Sequence, residues 1–356
     1  MDGQERRVGL SDFRTWPHYG EIAMGLPNYW YPATWSRRIR TRPLRVELLG
    51  QPIMFRREGG RIYALADTCP HRGIPLSMGR QEFPGTWSCA YHGWTFDLAT
   101  GVCRAALTDG PQSAVCGRGR VRTYPVEERV GIVFVWMGKG APVPVEADIR
   151  EEFLGRDSAI VGRLTIRQGN WRYAAENSVD EGHAAFLHRY HSLWTKFTRM
   201  AGWIVSLQGG HRQDGWIVRT ADEIGGVGDF PGLGRWPKFR FWNRASGRVT
   251  VSYRLPGNIR VAYGRYNHYN WYMPLDRDRH HYFQFLVAQG NWTQRQIFRL
   301  CYWLYRRWLF HLRLNNQDAR MVRAMPETEP APLYRPDASI AAWRRLCEEA
   351  RGESAG

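Results

Sequence analysis

Two short segments constrain this chain more than anything else in it. Cys69-Pro70-His71 is followed, after seventeen residues, by Cys89-Ala90-Tyr91-His92. Each segment sets one thiol close to one imidazole, in a C-x-H…C-x-x-H pattern. Four such ligands can meet only if two loops are brought side by side on a stiff scaffold. The surrounding sequence supplies one. Val46 to Leu49, Ile53 to Arg56 and Ile62 to Ala66 run or alternate apolar, and Gly59-Gly60 makes a hairpin turn between the last two. Trp94 to Phe96 and Val102 flank a turn at Gly101, and Ile132 to Trp136 reads as a buried strand. The expectation is a small all-β domain over 40–145, with the proline-rich piece Ala141 to Val145 as its junction.

The pairing of ligands points to the metal. A structural zinc site is the plain alternative, but zinc fingers group their two cysteines together and their two histidines together. Here each loop gives one of each, which suits a binuclear cluster. Two histidines in place of two cysteines are the signature of a Rieske [2Fe–2S] centre. Cys69, His71, Cys89 and His92 are therefore the candidate cluster ligands. Gly73 and Gly93 follow them and are expected to let backbone N–H groups approach the sulfides. Cys103 and Cys116 lie outside the loops and read as structural.

The rest of the 356 residues needs a second purpose. Asn170 to His188 reads as a helix with Asn170 as N-cap. It carries Asp180, His183 and His188 in a D-x-x-H-x-x-x-x-H pattern. A lone helical histidine is usually a core residue. Two after a carboxylate, in a chain that already holds a redox cluster, suggest the two-histidine, one-carboxylate triad of non-haem Fe(II), which leaves coordination positions open for O₂. Asp180 and His183 are spaced to share a helix face. His188 lies about 140° further round a regular helix of ~3.6 residues per turn, so the helix must bulge or end near Ala184 to Leu187. His191 is a weaker substitute ligand. The third ligand is expected to be Asp318, after the uncharged run Asn315-Asn316-Gln317 at the end of a helix from about Thr293 to Leu314, with Glu327 and Glu329 as weaker candidates. Strand-like segments at Trp216 to Thr220, Val249 to Leu255, Asn270 to Met273 and Tyr282 to Ala288, and a last helix at Ala338 to Ala350, complete an antiparallel sheet carrying helices. The fold class is α+β, with 1–39 and 146–356 forming the catalytic domain.

Charge is the remaining feature. The net charge is +17, and only Lys139, Lys196 and Lys238 among the fifty basic residues are lysine. Such a surface attracts an acidic partner. The arginines are spread along the whole chain, which argues against nucleic acid, whose binders concentrate charge on one element. No apolar run is long enough for a transmembrane helix. Met1 to Leu10 is charged and lacks the apolar core of a secretory leader, so a cytoplasmic location is expected. Aromatic residues make up 14% of the chain, with 17 tryptophans, which suits a flat apolar substrate; Phe186 is a pocket candidate. Tyr302 to Phe310, with Arg306 and Arg307, has the composition of a membrane-surface helix, but a packed helix presenting Asp318 is the preferred reading.

These residues resemble the α-subunits of Rieske non-haem iron aromatic-ring-hydroxylating oxygenases over nearly the whole chain. Within that family the chain is most similar to the homotrimeric carbazole 1,9a-dioxygenase group. The matching stretches are Cys69-Pro70-His71-Arg72-Gly73, the Tyr91-His92 loop, Gly101 to Asp109, Arg122-Thr123-Tyr124-Pro125-Val126, Asn170-Trp171-Arg172 with Glu176-Asn177, Asn315-Asn316 with Asp318, and Ala341-Ala342-Trp343-Arg344. The gap between His183 and His188 is one residue longer than expected of that group and fits the wider oxygenase pattern. Respiratory Rieske proteins carry an extra cysteine on each ligand loop; Ile74 and Tyr91 stand here instead.

The resemblance implies a terminal oxygenase. Electrons from NAD(P)H reach it indirectly, through a reductase and often an acidic ferredoxin. They pass from the cluster of one subunit to the mononuclear Fe(II) of the next, within a head-to-tail homotrimer. Asp180 is implied to bridge a cluster histidine and His183, and Asn177 to sit near the open iron face. The implied reaction is dioxygenation of an aromatic or heteroaromatic ring with O₂. A monooxygenase or an O- or N-demethylase on the same scaffold is the alternative. A pure electron-transfer protein is a more distant one, disfavoured by the second metal motif.

Overall fold

The computed structural model describes residues 16–180, 182–183, 187–188, 203–204, 210–224, 229–230, 234–235, 243–262, 266–325 and 333–355. The chain divides into two compact units, Pro27–Leu154 and the pair of segments Met1–Leu26 and Gly155–Gly356.

The first unit is built from three antiparallel sheets. One runs Trp30–Trp35, Ile132–Trp136, Val126–Arg129; the second Leu44–Leu48, Gln51–Glu58, Arg61–Ala66; the third Thr86–Ser88, Trp94–Asp97, Cys103–Ala106. The hairpin at Gly59-Gly60 forms as expected. Both glycines have positive φ, +56° and +79°, between the paired Glu58 and Arg61. A two-residue turn of that hand matches the natural twist of the strands. The boundaries differ from those read in the sequence. Residues 27–39 belong to this unit, because Trp30–Trp35 pairs with Ile132–Trp136. The proline-rich piece is no junction: Trp30 Nε1 donates to the Val143 carbonyl at 2.6 Å, inside the unit. The apolar core includes Met54, Leu65, Leu76, Trp87 and Phe96.

The second unit carries an antiparallel sheet in the order Ser158–Gln168, Arg279–Gln289, Asn267–Pro274, Asn258–Ala262, Asn243–Arg254, Trp216–Ile224, Trp203–Ile204, with His211–Gln213 also paired to Trp216–Ile224. The helix Trp171–Val179 starts where expected, with the Asn170 side chain accepting from the Arg172 N–H at 3.1 Å. It ends sooner, at Val179, with Asp180 as the extended residue after it. Arg219, from the sheet, donates to the Val179 carbonyl at 2.6 Å and so holds one of the acceptors that the helix end frees. Residues 19–23 bind the helix start: Trp171 Nε1 reaches the Ile22 carbonyl at 3.1 Å and Asn170 Nδ2 the Ala23 carbonyl at 3.1 Å.

The C-terminal helical run is continuous. It begins as the α-helix Trp292–Cys301 behind an Asn291–Gln294 capping box. It then widens into a π-helix over Tyr302–Leu314 and returns to an α-helix over Asn315–Ala324. Asp318 therefore sits in the first turn of the α-helix that continues the run, rather than where the helical run stops. The last helix, Ala338–Ala355, is locked to Trp171–Val179 by a buried bidentate pair: Arg344 Nε donates to Glu176 Oε1 at 2.8 Å, and its Nη2 to Oε2 at 3.1 Å. Trp343 meets Trp171 edge-on at 6.1 Å beside it. Asn170-Trp171-Arg172, Glu176 and Trp343-Arg344 are thus frame residues that fix the helix leading to Asp180.

Candidate metal centres

The two cluster loops are copies of one turn. The Gly73 N–H donates to the Cys69 carbonyl at 2.8 Å, and the Cys69 N–H to the Ile74 carbonyl at 2.9 Å. In the other loop the Gly93 N–H donates to Cys89 at 3.1 Å, and the Cys89 N–H to Trp94 at 2.8 Å. Gly73 and Gly93 both need positive φ, +72° and +63°, to close it. Their own N–H groups close the turns. The groups that reach the Cys69 sulfur are the His71 and Arg72 N–H.

Cys69 and Cys89 are buried in the apolar core, whereas His71 is exposed and His92 half-buried at the rim. The imidazoles stand 4.7 Å apart, centre to centre. Burial, with the neighbouring Cys89 thiol, pushes the Cys69 thiol up to about 11. A thiol so placed gives up its proton to a metal far more readily than to water. Ligands on one zinc at ~2.0–2.3 Å would all lie within roughly 4 Å of each other. Among the described residues only His183, His188 and Asp318 converge within 4.8 Å. The four loop residues therefore fit a group wider than one ion, as a [2Fe–2S] cluster is. Trp94 was missed in the sequence: its ring stacks on His71 at 4.9 Å and 7°, fixing the imidazole plane. Cys103 is buried, and none of the six cysteines is in a disulfide.

At the second site Asp318 Oδ1 lies 3.1 Å from His188 Nε2 and 3.4 Å from His183 Nε2. It is buried, yet accepts a well-directed hydrogen bond from neither. The two rings meet at 78° with centres 5.2 Å apart, approaching one point from different directions. A carboxylate oxygen and two imidazole nitrogens left facing one another fit a divalent cation among them. Burial opposes ionisation of Asp318, but the two imidazoles outweigh it and hold the carboxyl well below its usual range. Burial likewise opposes charge on His183, but Asp180 and Asp318 outweigh it and push the imidazole up to about 10. The pocket thus favours positive charge, proton or metal.

Two features behind the ligands complete the site. Asp180 Oδ2 lies 3.5 Å from His183 Nδ1, while its Oδ1 accepts from the Gly182 N–H at 2.7 Å. The contact forms without a shared helix face, since the helix has already ended. Gln317, unrecognised in the sequence although it adjoins Asp318, holds His188 Nδ1 through Oε1 at 2.9 Å. That puts the ring hydrogen on Nδ1 and leaves the Nε2 lone pair for a metal. Asn177 is buried on Trp171–Val179. Phe186, His191, Glu327 and Glu329 lie outside the described residues.

The sheet face beside Asp318 is polar. Tyr272 and Tyr282 stack at 4.6 Å, Ser178 Oγ meets the Tyr272 hydroxyl at 2.5 Å, and the Tyr282 hydroxyl donates to Asn270 Oδ1 at 2.6 Å. Burial pushes the His268 imidazole down to about 4 against the pull of Asp318, so it is neutral. Gln284, opposite Asn270 in register, is fully buried beside the Tyr282 hydroxyl, with its amide oxygen left without a hydrogen-bond donor.

Residues 29–125 match the family described as the Rieske [2Fe-2S] domain, and residues 136–216 the homotrimeric ring hydroxylases. The terminal oxygenase component of carbazole 1,9a-dioxygenase from Metapseudomonas resinovorans is 30% identical over 96% of this chain and 94% of its own. The chain belongs to the Rieske non-haem iron ring-hydroxylating oxygenases. It is an oxidoreductase of the terminal-oxygenase kind, with a Rieske cluster and a mononuclear iron. The carbazole 1,9a-dioxygenase terminal oxygenase from Nocardioides aromaticivorans IC177 superposes with a TM-score of 0.77 at 29% identity, covering 97% of this chain and 100% of that one. A fluorene-bound oxygenase in complex with ferredoxin, from a carbazole 1,9a-dioxygenase, gives a TM-score of 0.79 at 29% identity, covering 94% and 93%. No helix of this Rieske oxygenase, among the described residues, is long and apolar enough to cross a membrane.

Proposed function

We propose that this oxygenase receives electrons from an acidic ferredoxin, works as a head-to-tail homotrimer in the cytoplasm, and dihydroxylates a flat heteroaromatic ring. Cys69, His71, Cys89 and His92 hold the cluster; His183, His188 and Asp318 hold the iron. When bound, these groups supply stored electrons and open coordination positions for O₂. The observation that carries the reading is the buried Asp318 oxygen that faces two imidazole nitrogens at once, one imidazole leaning on Asp180.

Within the site the chain's own groups have distinct tasks. Gln317 fixes the His188 tautomer. Asp180 orients His183, and in the trimer accepts a cluster imidazole from a second copy. Asn177 faces the iron from the helix before it. Gln284 favours a ring bearing a polar atom over a bare hydrocarbon, because a buried amide left partly unpaired costs ~1–3 kcal/mol. The known ferredoxin complex and fluorene ligand of the structural neighbour support both the partner and the substrate class.

The decisive experiment is turnover of nitrogen- and oxygen-heterocyclic aromatics beside their hydrocarbon analogues, under ¹⁸O₂, with ferredoxin and reductase. A product carrying two ¹⁸O atoms on adjacent carbons, with heterocycles preferred, is expected. One ¹⁸O atom per aromatic product would mean monooxygenation, and an unlabelled phenol or amine released with formaldehyde would mean demethylation; preference for the hydrocarbons would remove the role of Gln284.

A further inference from the structure

A buried charge lies just outside the set of cluster ligands. Asp67 stands two residues before Cys69, directly after the strand Arg61–Ala66, and its side chain is wholly buried. Its Oδ1 accepts the Ser77 N–H at 2.6 Å. Its Oδ2 accepts the Ser77 hydroxyl at 2.7 Å and Nη1 of Arg45 at 3.0 Å. The Ser77 N–H and the guanidinium can only donate, one to each oxygen, so the group is the acceptor-only carboxylate. Ser77 comes three residues after Ile74, whose carbonyl closes the first ligand turn. Asp67 therefore ties together the two ends of the loop that carries Cys69 and His71.

Tying a loop does not require a charge. The oxygen of an asparagine accepts a Ser77 N–H as well, and a buried carboxylate is costly unless it is paired. The pairing here is lopsided. The Asp67 side chain is 0% exposed, whereas that of Arg45, on the strand Leu44–Leu48, is 46% exposed. Water screens the guanidinium, while the carboxylate sits beside the apolar core of Met54, Leu65, Cys69 and Leu76, which screens little. Two trans peptide steps put the Cys69 Cα at most ~7.6 Å from that of Asp67.

We propose that Asp67 and Arg45 set the electron affinity of the cluster held by the two loops, Asp67 lowering it and Arg45 raising it. The proposal rests on the cluster ligands assigned above. Reduction by one electron places one more negative charge between the loops and neither forms nor breaks a bond. A fixed carboxylate nearby opposes that charge, and the guanidinium offsets part of the opposition. A unit charge roughly 10 Å away, at an effective dielectric constant of ~20, shifts such an equilibrium on the order of tenfold. Arg45, half in water, acts more weakly.

Redox titration of the assembled holoenzyme, followed by the visible absorption of the cluster, tests this. Asp67→Asn keeps an acceptor for the Ser77 N–H and removes the charge. At the wild-type midpoint it should favour the reduced form about tenfold, a rise of ~59 mV for one electron. Arg45→Gln should favour the oxidised form about threefold, and the double variant should fall between the two singles. Arg45→Lys should stay within about twofold of wild type. So should Arg61→Gln, which removes a charge at the far end of the strand that leads to Asp67. A purely structural tie would move both single variants in the same direction or leave both unmoved, and either result overturns the proposal. An Arg61→Gln shift equal to that of Arg45→Gln also overturns it, because diffuse charge would then be the cause. Should Asp67→Asn fail to take up its cluster, the exposed Arg45 decides: a shift in Arg45→Gln that Arg45→Lys restores supports the proposal, and no shift overturns it. Wild-type protein without a Rieske spectrum would instead overturn the ligand assignment, so the two failures are distinct.

Discussion

The cluster loops and the iron triad both rely on imidazoles, yet the chain assembles them by different routes. The proposed cluster ligands all lie between positions 69 and 92, on twin turns closed by the same two hydrogen bonds and anchored by buried thiols. The triad joins His183 and His188, beyond the end of a helix, to Asp318 on a distant run. Its geometry rests on long-range frame contacts such as Arg344 with Glu176 and Arg219 with the Val179 carbonyl. One site is held by local backbone and the other by tertiary packing. Local damage should therefore stay within the site it touches.

The sharpest test removes triad ligands. His183→Ala, His188→Ala or Asp318→Ala should abolish turnover and lose one iron per chain while the Rieske spectrum survives, since only three protein ligands hold that iron. Loss of both metals together would show that the two sites are not built independently. Asp318→Ala with full activity would hand the carboxylate role to Glu327 or Glu329. On the cluster side, His71→Cys or His92→Cys should move the potential from the Rieske range of about −150 to +300 mV towards about −400 mV, because thiolates replace neutral imidazoles. Zinc without acid-labile sulfide in the wild-type protein would refute the cluster.

Smaller effects probe the links. Asp180→Asn should keep both metals and slow reduction of the iron about 10–100-fold, since an amide loses the charge that couples to imidazoles; unchanged single-turnover kinetics would sink the bridging role. Gln317→Leu should weaken iron affinity by about tenfold at the least, read by chelator competition, and unaltered affinity would leave His188 held by something else. The mildest effect belongs to the exposed Arg118 and Arg120. Their reversal to glutamate should slow cluster reduction by ferredoxin a few-fold and spare reduction by dithionite. Raising ionic strength from about 0.01 M to 0.15 M, which shortens the Debye length from roughly 30 Å to 8 Å, should do the same to wild type. A flat salt profile would mean that the basic surface serves another purpose.

Much of the site was legible because metal ligands declare themselves by type and spacing. The proposed cluster ligands Cys69, His71, Cys89 and His92 could be read from one short stretch, and Asp318, which the fold brings to His183 and His188, from the uncharged run before it. Gln317 stood in that same run and was overlooked, since a glutamine's task is visible only once its partner is in place. The domain edge was misplaced because Trp30–Trp35 finds its partner a hundred residues away, at Ile132–Trp136. No local signal at Ile39 or Arg40 records that pairing.

The amino-acid sequence by itself determined the two metal chemistries, the hairpin at Gly59-Gly60 and the helix start at Asn170, because each depends on residues near one another in the chain. Tertiary structure alone decided where that helix stops, which oxygen of Asp318 faces the histidines, and which side of the 292–313 run is covered. Helical periodicity reports that a segment has two faces. Which face is buried depends on what the distant sheet brings against it, and here Phe298, Tyr302 and His311 were taken in while Trp303, Leu304 and Trp308 were left out.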